Sequence, residues 1–307
     1  MRRTRSLLSL CACLLVAGMW QGAVAAEQFT ARKLADNIQL ITGPSGNTLA
    51  AVDTDGVILI DGVPAKLADA YLVFVSKLTG TDKIKAVVNS HWHDESVGLN
   101  AKLAAKGVTI IAHANTRQWL TTTIRKRGEE VLHKPTPKAQ LPNKIFYDKF
   151  SLPFRGGNIE LGYMLHAHTD GDIYAYFRDQ NVLFTGPTVR TDSWSAVDES
   201  TNGYIGGFVD AYDQLALLVN DKTTVVPISG PVIGKAEFDE QHTLYTKLMK
   251  EMVALLRKSR SAEEVVAANP AIGLKPQWGD PSVFLDEGFR SFYGNLRDAR
   301  HLGGAMP

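Results

Sequence analysis

The chain has 307 residues, 45% of them hydrophobic and 21% charged, which is enough apolar material for a buried core and excludes a disordered tail or a small disulfide scaffold. Its 33 Lys and Arg against 32 Asp and Glu give a formal charge of +1. That balance provides no field strong enough to hold nucleic acid or an anionic lipid surface.

Residues 1–26 differ from the rest. Arg2, Arg3 and Arg5 precede an apolar run from Leu7 to Trp20, and the small residues Ala23, Val24, Ala25 and Ala26 follow. This is the order of a secretory signal peptide, and the run is short for a membrane span of about 20 apolar residues. Cleavage near Ala25 or Ala26 predicts a periplasmic or secreted protein with no stable membrane insertion. Losing three arginines leaves 30 basic against 32 acidic residues, a charge of −2. Both cysteines, Cys11 and Cys13, leave with the leader, so residues 27–307 contain no disulfide, no thiol nucleophile and no thiolate ligand.

Residues 27–307 show no repeat and no linker long enough to separate domains, and they read as one domain. Strands are predicted at Asn37–Thr42, Thr48–Asp53 and Val57–Asp61, the last two joined by the hairpin turn Thr54-Asp55-Gly56. A helix over Ala65–Leu78 follows from Leu67, Ala70, Val73 and Leu78 at near-helical spacing. The apolar run Ile84–Val88 reads as a buried strand that stops at Asn89-Ser90. Further helices are predicted at Asn100–Lys106, Asn115–Lys126, Gly207–Val219, Glu237–Lys258, Ala262–Ala268 and Ser282–Ala299. Further strands are predicted at Val108–Ile111, Asn158–Met164, Ile173–Phe177, Val182–Thr185 and Thr224–Val226. This mixed order fits an α/β fold of two packed sheets covered by outer helices.

Two stretches carry the chemistry. In Ser90-His91-Trp92-His93-Asp94-Glu95-Ser96-Val97-Gly98, two histidines at i and i+2 follow a strand and can turn both imidazoles to one point, where neutral imidazole is a common metal ligand. The second, His166-Ala167-His168-Thr169-Asp170-Gly171-Asp172, lies on a loop between two predicted strands.

With Leu183-Phe184-Thr185-Gly186 and Val226-Pro227-Ile228-Ser229-Gly230-Pro231, these stretches resemble the metallo-β-lactamase fold over roughly residues 30 to 260. Gly203-Tyr204-Ile205-Gly206-Gly207-Phe208-Val209-Asp210-Ala211 is similar to stretches of the exported branch. The resemblance implies an αββα sandwich, two mixed β-sheets face to face with outer helices, and a metal-dependent hydrolase. Members carry H-x-H-x-D-H, a histidine before T-x-G-D, an aspartate after a T-G pair, and a late histidine in P-G-H-G-P. His91, His93 and His168 match the three histidines of the first metal site. Glu95 stands at the motif aspartate, Ser96 at its neighbouring histidine, Pro187 at the bridging aspartate and Ser229 at the late histidine, so the second site is expected to be absent or weak.

A tris-histidine site with an open position suits one Zn²⁺, which lowers the pKa of water to about 7 and polarises a carbonyl. Proline has no ligand atom and a neutral serine hydroxyl is a poor one, so one ion is expected. Glu95 is the expected general base, with Asp94 as its substitute, for hydrolysis of a small-molecule ester, thioester, amide or lactam. Glu95 has one methylene more than aspartate, and a displacement near 1 Å costs about 10²-fold. Two alternatives stay open: a non-catalytic binding protein on the same scaffold, and thiol dioxygenation at a single iron.

Other residues read as structural. His166 has only proximity to favour it as a ligand and is left out. Thr169 and Asp172 read as turn formers, His113 as the start of a helix, and Trp92 as a packing residue or pocket wall. His133, His242 and His301 have no partner pattern. Phe284, Phe289, Phe292 and Tyr293 have helical spacing and read as sheet cover, with a dimer contact as the alternative. Arg125-Lys126-Arg127 reads as a solvated loop offset by Glu129-Glu130.

Overall fold

In the computed structural model, residues 28–127, 130 and 132–301 are described; the expected leader over 1–26 lies outside them. Strands β1 (Thr30–Ala35), β2 (Ile38–Gly43), β3 (Gly46–Val52), β4 (Val57–Ile60), β5 (Ile84–Asn89), β6 (Thr109–His113) and β7 (Lys144–Phe146) form the first sheet in that order. It is an antiparallel meander as far as β4 and parallel from β4 to β7. Strands β8 (Lys149–Phe154), β9 (Gly157–Tyr163), β10 (Ile173–Phe177), β11 (Val182–Phe184) and β12 (Thr224–Val226) form the second, antiparallel except for the β11–β12 pair.

Side-chain alternation explains the layers. In β4, Ile58 and Ile60 point into the space between the sheets, while Val57 and Leu59 point out toward a helix layer, and all four are buried. A strand apolar on both faces needs cover on both. The inner layer joins Ile58, Ile60 and Val88 to Ile159, Ile173 and Phe177. Outside the first sheet, α1 (Ala68–Thr79) contributes Tyr71 and Val75. The short helices α2 (Asp94–Val97), α3 (Asn100–Ala104) and α4 (Ala114–Leu120) follow, with Leu103 of α3 in the same cluster. Outside the second sheet, α5 (Ile205–Ala216), α6 (Lys235–Arg257), α7 (Ala262–Ala268) and α8 (Ser282–His301) bury Phe208, Tyr245, Val265 and Phe289 with Tyr174 and Tyr176 of β10. The αββα arrangement is as the sequence predicts.

The sequence reading passes over three strands. β1 is an exposed edge whose Arg32 and Lys33 blur any apolar pattern, and β7 has only three residues. β8 contains Pro153, which demotes a strand in sequence but is tolerated here because β8 lies at the sheet edge. The helix predicted over Asn115–Lys126 ends at Leu120, where the β-branched run Thr121-Thr122-Thr123 begins. That early stop changes where Lys126 goes.

Candidate metal centre

Both sheets send their loops to one edge of the sandwich. β5 ends at Asn89, whose side chain fixes the chain's exit: its amide donates to the Ser96 carbonyl (2.8 Å) and its oxygen accepts from Asn100 (2.9 Å). From the other sheet, the Ile173 N–H donates to the Ser90 carbonyl (3.0 Å), joining the start of β10 to the histidine stretch. His91, His93 and His168, all buried, thereby offer ligand nitrogens that lie within 4.8 Å of one another. His93 Nδ1 is 2.9 Å from His168 Nε2, and Glu95 Oε1 is 3.2 Å from His91 Nε2 and 3.9 Å from His93 Nδ1. His166 is not part of this group.

The outward nitrogens decide what the inward ones present. His168 Nδ1 is 2.8 Å from the Ala196 carbonyl, which only accepts, and His93 Nε2 is 2.9 Å from Asp198 Oδ2. His91 Nδ1 is 3.0 Å from Ser90 Oγ, whose own proton goes to Asp61 Oδ2 (2.6 Å), leaving an oxygen lone pair for the imidazole. Each outward nitrogen thus faces an acceptor and carries the proton, so the inward nitrogens of His93 and His168 oppose lone pairs at 2.9 Å. A cation between them relieves that repulsion. Three imidazoles whose far N–H groups are each held by a protein acceptor match the ligand chemistry of Zn²⁺.

Burial pushes His93 down to about 4 despite Asp198, and burial with the neighbouring His93 and His91 pushes His168 well below its ordinary value. Both stay neutral at neutral pH, as ligation requires. Burial opposes charge on His91 too, but Glu95, Asp61 and Asp172 outweigh it and raise the imidazole overall. For Glu95, burial pushes upward, and the hydrogen bond and charge of His91 with the charge of His93 bring it well below the usual carboxylate range. Glu95 is therefore ionised, with an oxygen facing the centre.

The positions read from resemblance as lost second-site ligands have other partners or no donor. Ser96 is fully buried and gives its hydroxyl to Asp61 Oδ1, Ser229 Oγ donates to Asp192 (2.5 Å), and Pro187 forms part of the cavity wall. Asp94 accepts from the Ala65 N–H at 3.4 Å. Trp92 packs with Leu120, Ile124 and Leu141, donates to Thr201 Oγ1 (3.1 Å) and walls the cavity, as its sequence reading has it. His113 accepts from the Asn115 N–H and so caps α4. Asp172 accepts from both the N–H and the hydroxyl of Thr169 and shapes the turn. Phe284, Phe289 and Phe292 are buried cover for the second sheet.

Of the basic run, Arg125 and Arg127 are exposed as a solvated loop implies, while Lys126 departs from that reading. Because α4 stops early, Lys126 returns over the Trp92 ring (5.1 Å), reaches within 3.9 Å of Asp198 and lines two cavities beside the histidines, of about 330 and 650 Å³. Arg127 pairs with Asp286 (3.1 Å) and Glu199 (3.4 Å). Sequence reasoning also misses Asp61, Ala196 and Asp198. Asp61 left a trace as the lone charge ending an apolar strand; Ala196 and Asp198 left none, because their partners are 28 and 105 residues away. Gly203 follows from the same closeness: a Cβ there would overlap the His168 carbonyl oxygen, so only glycine lets the 194–203 segment lie against the histidine loop.

An αββα sandwich with three converging imidazoles at one sheet edge defines a scaffold able to hold a metal ion. Residues 41–256 match the model of the metallo-beta-lactamase superfamily, and the chain belongs to that superfamily. It is 22% identical to Metallo-beta-lactamase IND-1 of Chryseobacterium indologenes over 183 residues, 60% of this chain and 71% of that protein. Among solved structures, a metallo-beta-lactamase from Pontibacter korlensis superposes with a TM-score of 0.59 at 17% identity, covering 71% of this chain and 99% of the other. DIM-1 metallo-beta-lactamase gives 0.57 at 17% identity, covering 71% and 97%. At these identities the solved structures speak for the fold alone. Among the described residues, no helix is long and apolar enough to cross a membrane.

Proposed function

We propose that this chain is an exported hydrolase of small-molecule carbonyl compounds, an ester, thioester, amide or lactam, working with one Zn²⁺ held by His91, His93 and His168. The observation that carries the reading is that three inward nitrogens converge while each outward nitrogen is fixed by its own acceptor. When bound, the ion supplies Lewis acidity toward a carbonyl oxygen and a more acidic water. Glu95 Oε1, ionised and facing the centre, accepts the proton of the attacking water and returns it to the leaving heteroatom. Asp61, through Ser90, and Asp198 hold the imidazoles in their working tautomers. Ser96, Pro187 and Ser229 supply no second-site ligands, which supports a single ion. Export rests on the leader over 1–26, with residues 27–307 as one domain. The names of the relatives make a β-lactam one substrate to assay beside esters and thioesters.

One observation favours the non-catalytic alternative. Glu95 Oε1 lies close enough to two inward nitrogens to become a fourth ligand, and a closed four-ligand site is a structural one. Glu95→Gln separates the readings. For a general base, zinc stays at one per chain with affinity near wild type while kcat falls about 10²-fold or more. A Glu95→Gln protein that loses zinc, from a wild type that turns over none of the ester, thioester or lactam substrates, establishes the closed site instead.

A further inference from the structure

The family match ends at residue 256, yet the segment that orients two of the three imidazoles is fastened to what comes after it. That segment, residues 194–205, contributes the Ala196 carbonyl to His168 and the Asp198 carboxylate to His93. It is tied at three points to the C-terminal part of the chain. Trp194 Nε1 donates to the Gly279 carbonyl (3.1 Å), with the Trp194 ring stacked on Phe284 (5.4 Å) and edge-on to Trp278 (5.2 Å). The Val197 N–H donates to Glu287 Oε2 (3.2 Å), and the Ile205 N–H donates to Ser291 Oγ (3.1 Å). Glu287 and Ser291 lie on α8 one helical turn apart, so one face of that helix holds both ends of the segment's second half.

Val197 sits between the two residues that do the orienting. Its N–H belongs to the same peptide unit as the Ala196 carbonyl, so Glu287 fixes that carbonyl directly and supports Asp198 one residue on. Val197 lies outside the helices and strands, and Glu287 is the acceptor of its N–H, beside the direct tie from the Asp198 N–H to the His168 carbonyl (2.9 Å). We propose that Glu287 of α8 is a positioning residue for the metal centre: by pinning the Val197 N–H it holds Ala196 and Asp198 in register with His168 and His93, so the C-terminal helix sets the affinity of the site for its metal. The proposal rests on the reading of His91, His93 and His168 as ligands and adds a residue outside that ligand set.

The experiment uses the full chain and zinc, titrated against a fluorescent chelator, with Glu287→Ala, Glu287→Gln and Arg290→Ala. Arg290 is on the same helix and pairs with Glu263 and Asp286; it makes no direct bond to the segment, which Asp286 reaches only through Arg127 and Glu199. Partners of metal-ligating histidines typically contribute ~10- to 100-fold in affinity, and one position further out the expected loss in Glu287→Ala is about threefold to tenfold. Glu287→Gln keeps an acceptor oxygen and is expected to stay within about twofold of wild type. Arg290→Ala is expected to lower thermal stability without moving zinc affinity.

Long-range proton–nitrogen spectra of the chelator-stripped proteins supply a second readout. Wild type and Glu287→Gln should show His168 as the Nδ1–H tautomer and His93 as the Nε2–H tautomer, with mixed populations in Glu287→Ala. Unchanged affinity and tautomers in Glu287→Ala overturn the proposal, and so does equal loss in all three variants, which would mean that only helix stability matters. A wild type that takes up no zinc ends the functional reading instead, while the tautomers still decide the role of Glu287.

Discussion

His91 and His168 face the same point but are secured from opposite sides of the molecule. His91 is held from inside the first sheet: Ser90 Oγ accepts from its Nδ1–H and donates to Asp61, which ends the β4 run and also accepts from the Ser90 N–H (2.6 Å) and the Ser96 hydroxyl. His168, with His93, is held from outside, by a carbonyl and a carboxylate on the 194–205 segment that leans on α8. The inner brace is made of residues close to the sheet edge that also carries the ligand. The outer brace joins a superfamily loop to a part of the chain beyond the superfamily match. Damage to the inner brace should therefore reach the fold as well as the metal, whereas damage to the outer brace should reach the metal first.

The largest effect is expected from Asp61→Asn. An ionised aspartate is acceptor-only and receives three donors here. Asparagine turns an NH₂ toward Ser90 Oγ, and the Ser90 hydroxyl must then point its proton at His91 Nδ1. That leaves Nδ1 without an acceptor and locks His91 as the Nε2–H tautomer that donates to Glu95, so the lone pair a metal needs no longer faces inward. Zinc affinity should fall about 10- to 100-fold, and leaving one buried donor poorly matched should remove about 1–3 kcal/mol of stability. Chelator competition and urea denaturation measure the two losses; a variant that binds zinc like wild type would show that the inner brace does not set the tautomer.

Asp198→Ala should act more narrowly. It removes the acceptor for His93 Nε2 at a point beside the cavities, where water can substitute, so the loss in affinity is expected near the low end, about tenfold. Stability should fall by about 1 kcal/mol, because Asp198 also accepts from the Ser200 N–H (3.1 Å) and caps the following turn, while the paired Lys126 retains access to solvent. Asp198→Asn keeps an acceptor oxygen and should recover most of the affinity. If Asp198→Ala and Asp61→Asn lose stability equally, the distinction between the two braces fails.

How much of this was legible beforehand follows the same division. The strands and helices came through wherever a buried face repeats with a clear period, as in Val57–Ile60 and Glu237–Lys258. β1, β7 and β8 did not, being edge-exposed, short or interrupted by proline. The three converging histidines were readable because they sit in two compact stretches at strand ends. Asp61 was visible as a charge closing an apolar run, but the direction of its hydrogen bonds exists only once β4 lies beside β5. Ala196, Asp198, Lys126 and Glu287 act through a loop path and a helix packing with no local pattern. Lys126 was further disguised by a helix that ends six residues earlier than its composition suggests.

The smallest effect concerns Asp172, on the outer side between the His168 loop and β10. Burial pushes its carboxyl up from an ordinary value of 3.8 to about 7, against the charge of His91 and the two hydrogen bonds from Thr169. A group whose folded pKa is raised contributes stability that is fully present below its unfolded value, near 4, and lost as the pH rises through the folded value, near 7. His93 and His168 act the other way, because their folded pKa values are lowered and the stability they contribute grows as the pH rises from the folded values to 6.5 and is complete above it. The total pH dependence of the wild type therefore mixes two signs, and only a difference isolates Asp172. An asparagine side chain does not titrate, so the stability of Asp172→Asn minus that of wild type, both stripped of metal, should increase between about pH 4 and about pH 8. The rise is expected at about 1–3 kcal/mol, below the full linkage for about three pH units because the Thr169 bonds weaken in the amide. A difference that stays flat across that range would mean that Asp172 is ionised throughout, and that the turn is held by a charge rather than by a buried neutral acid.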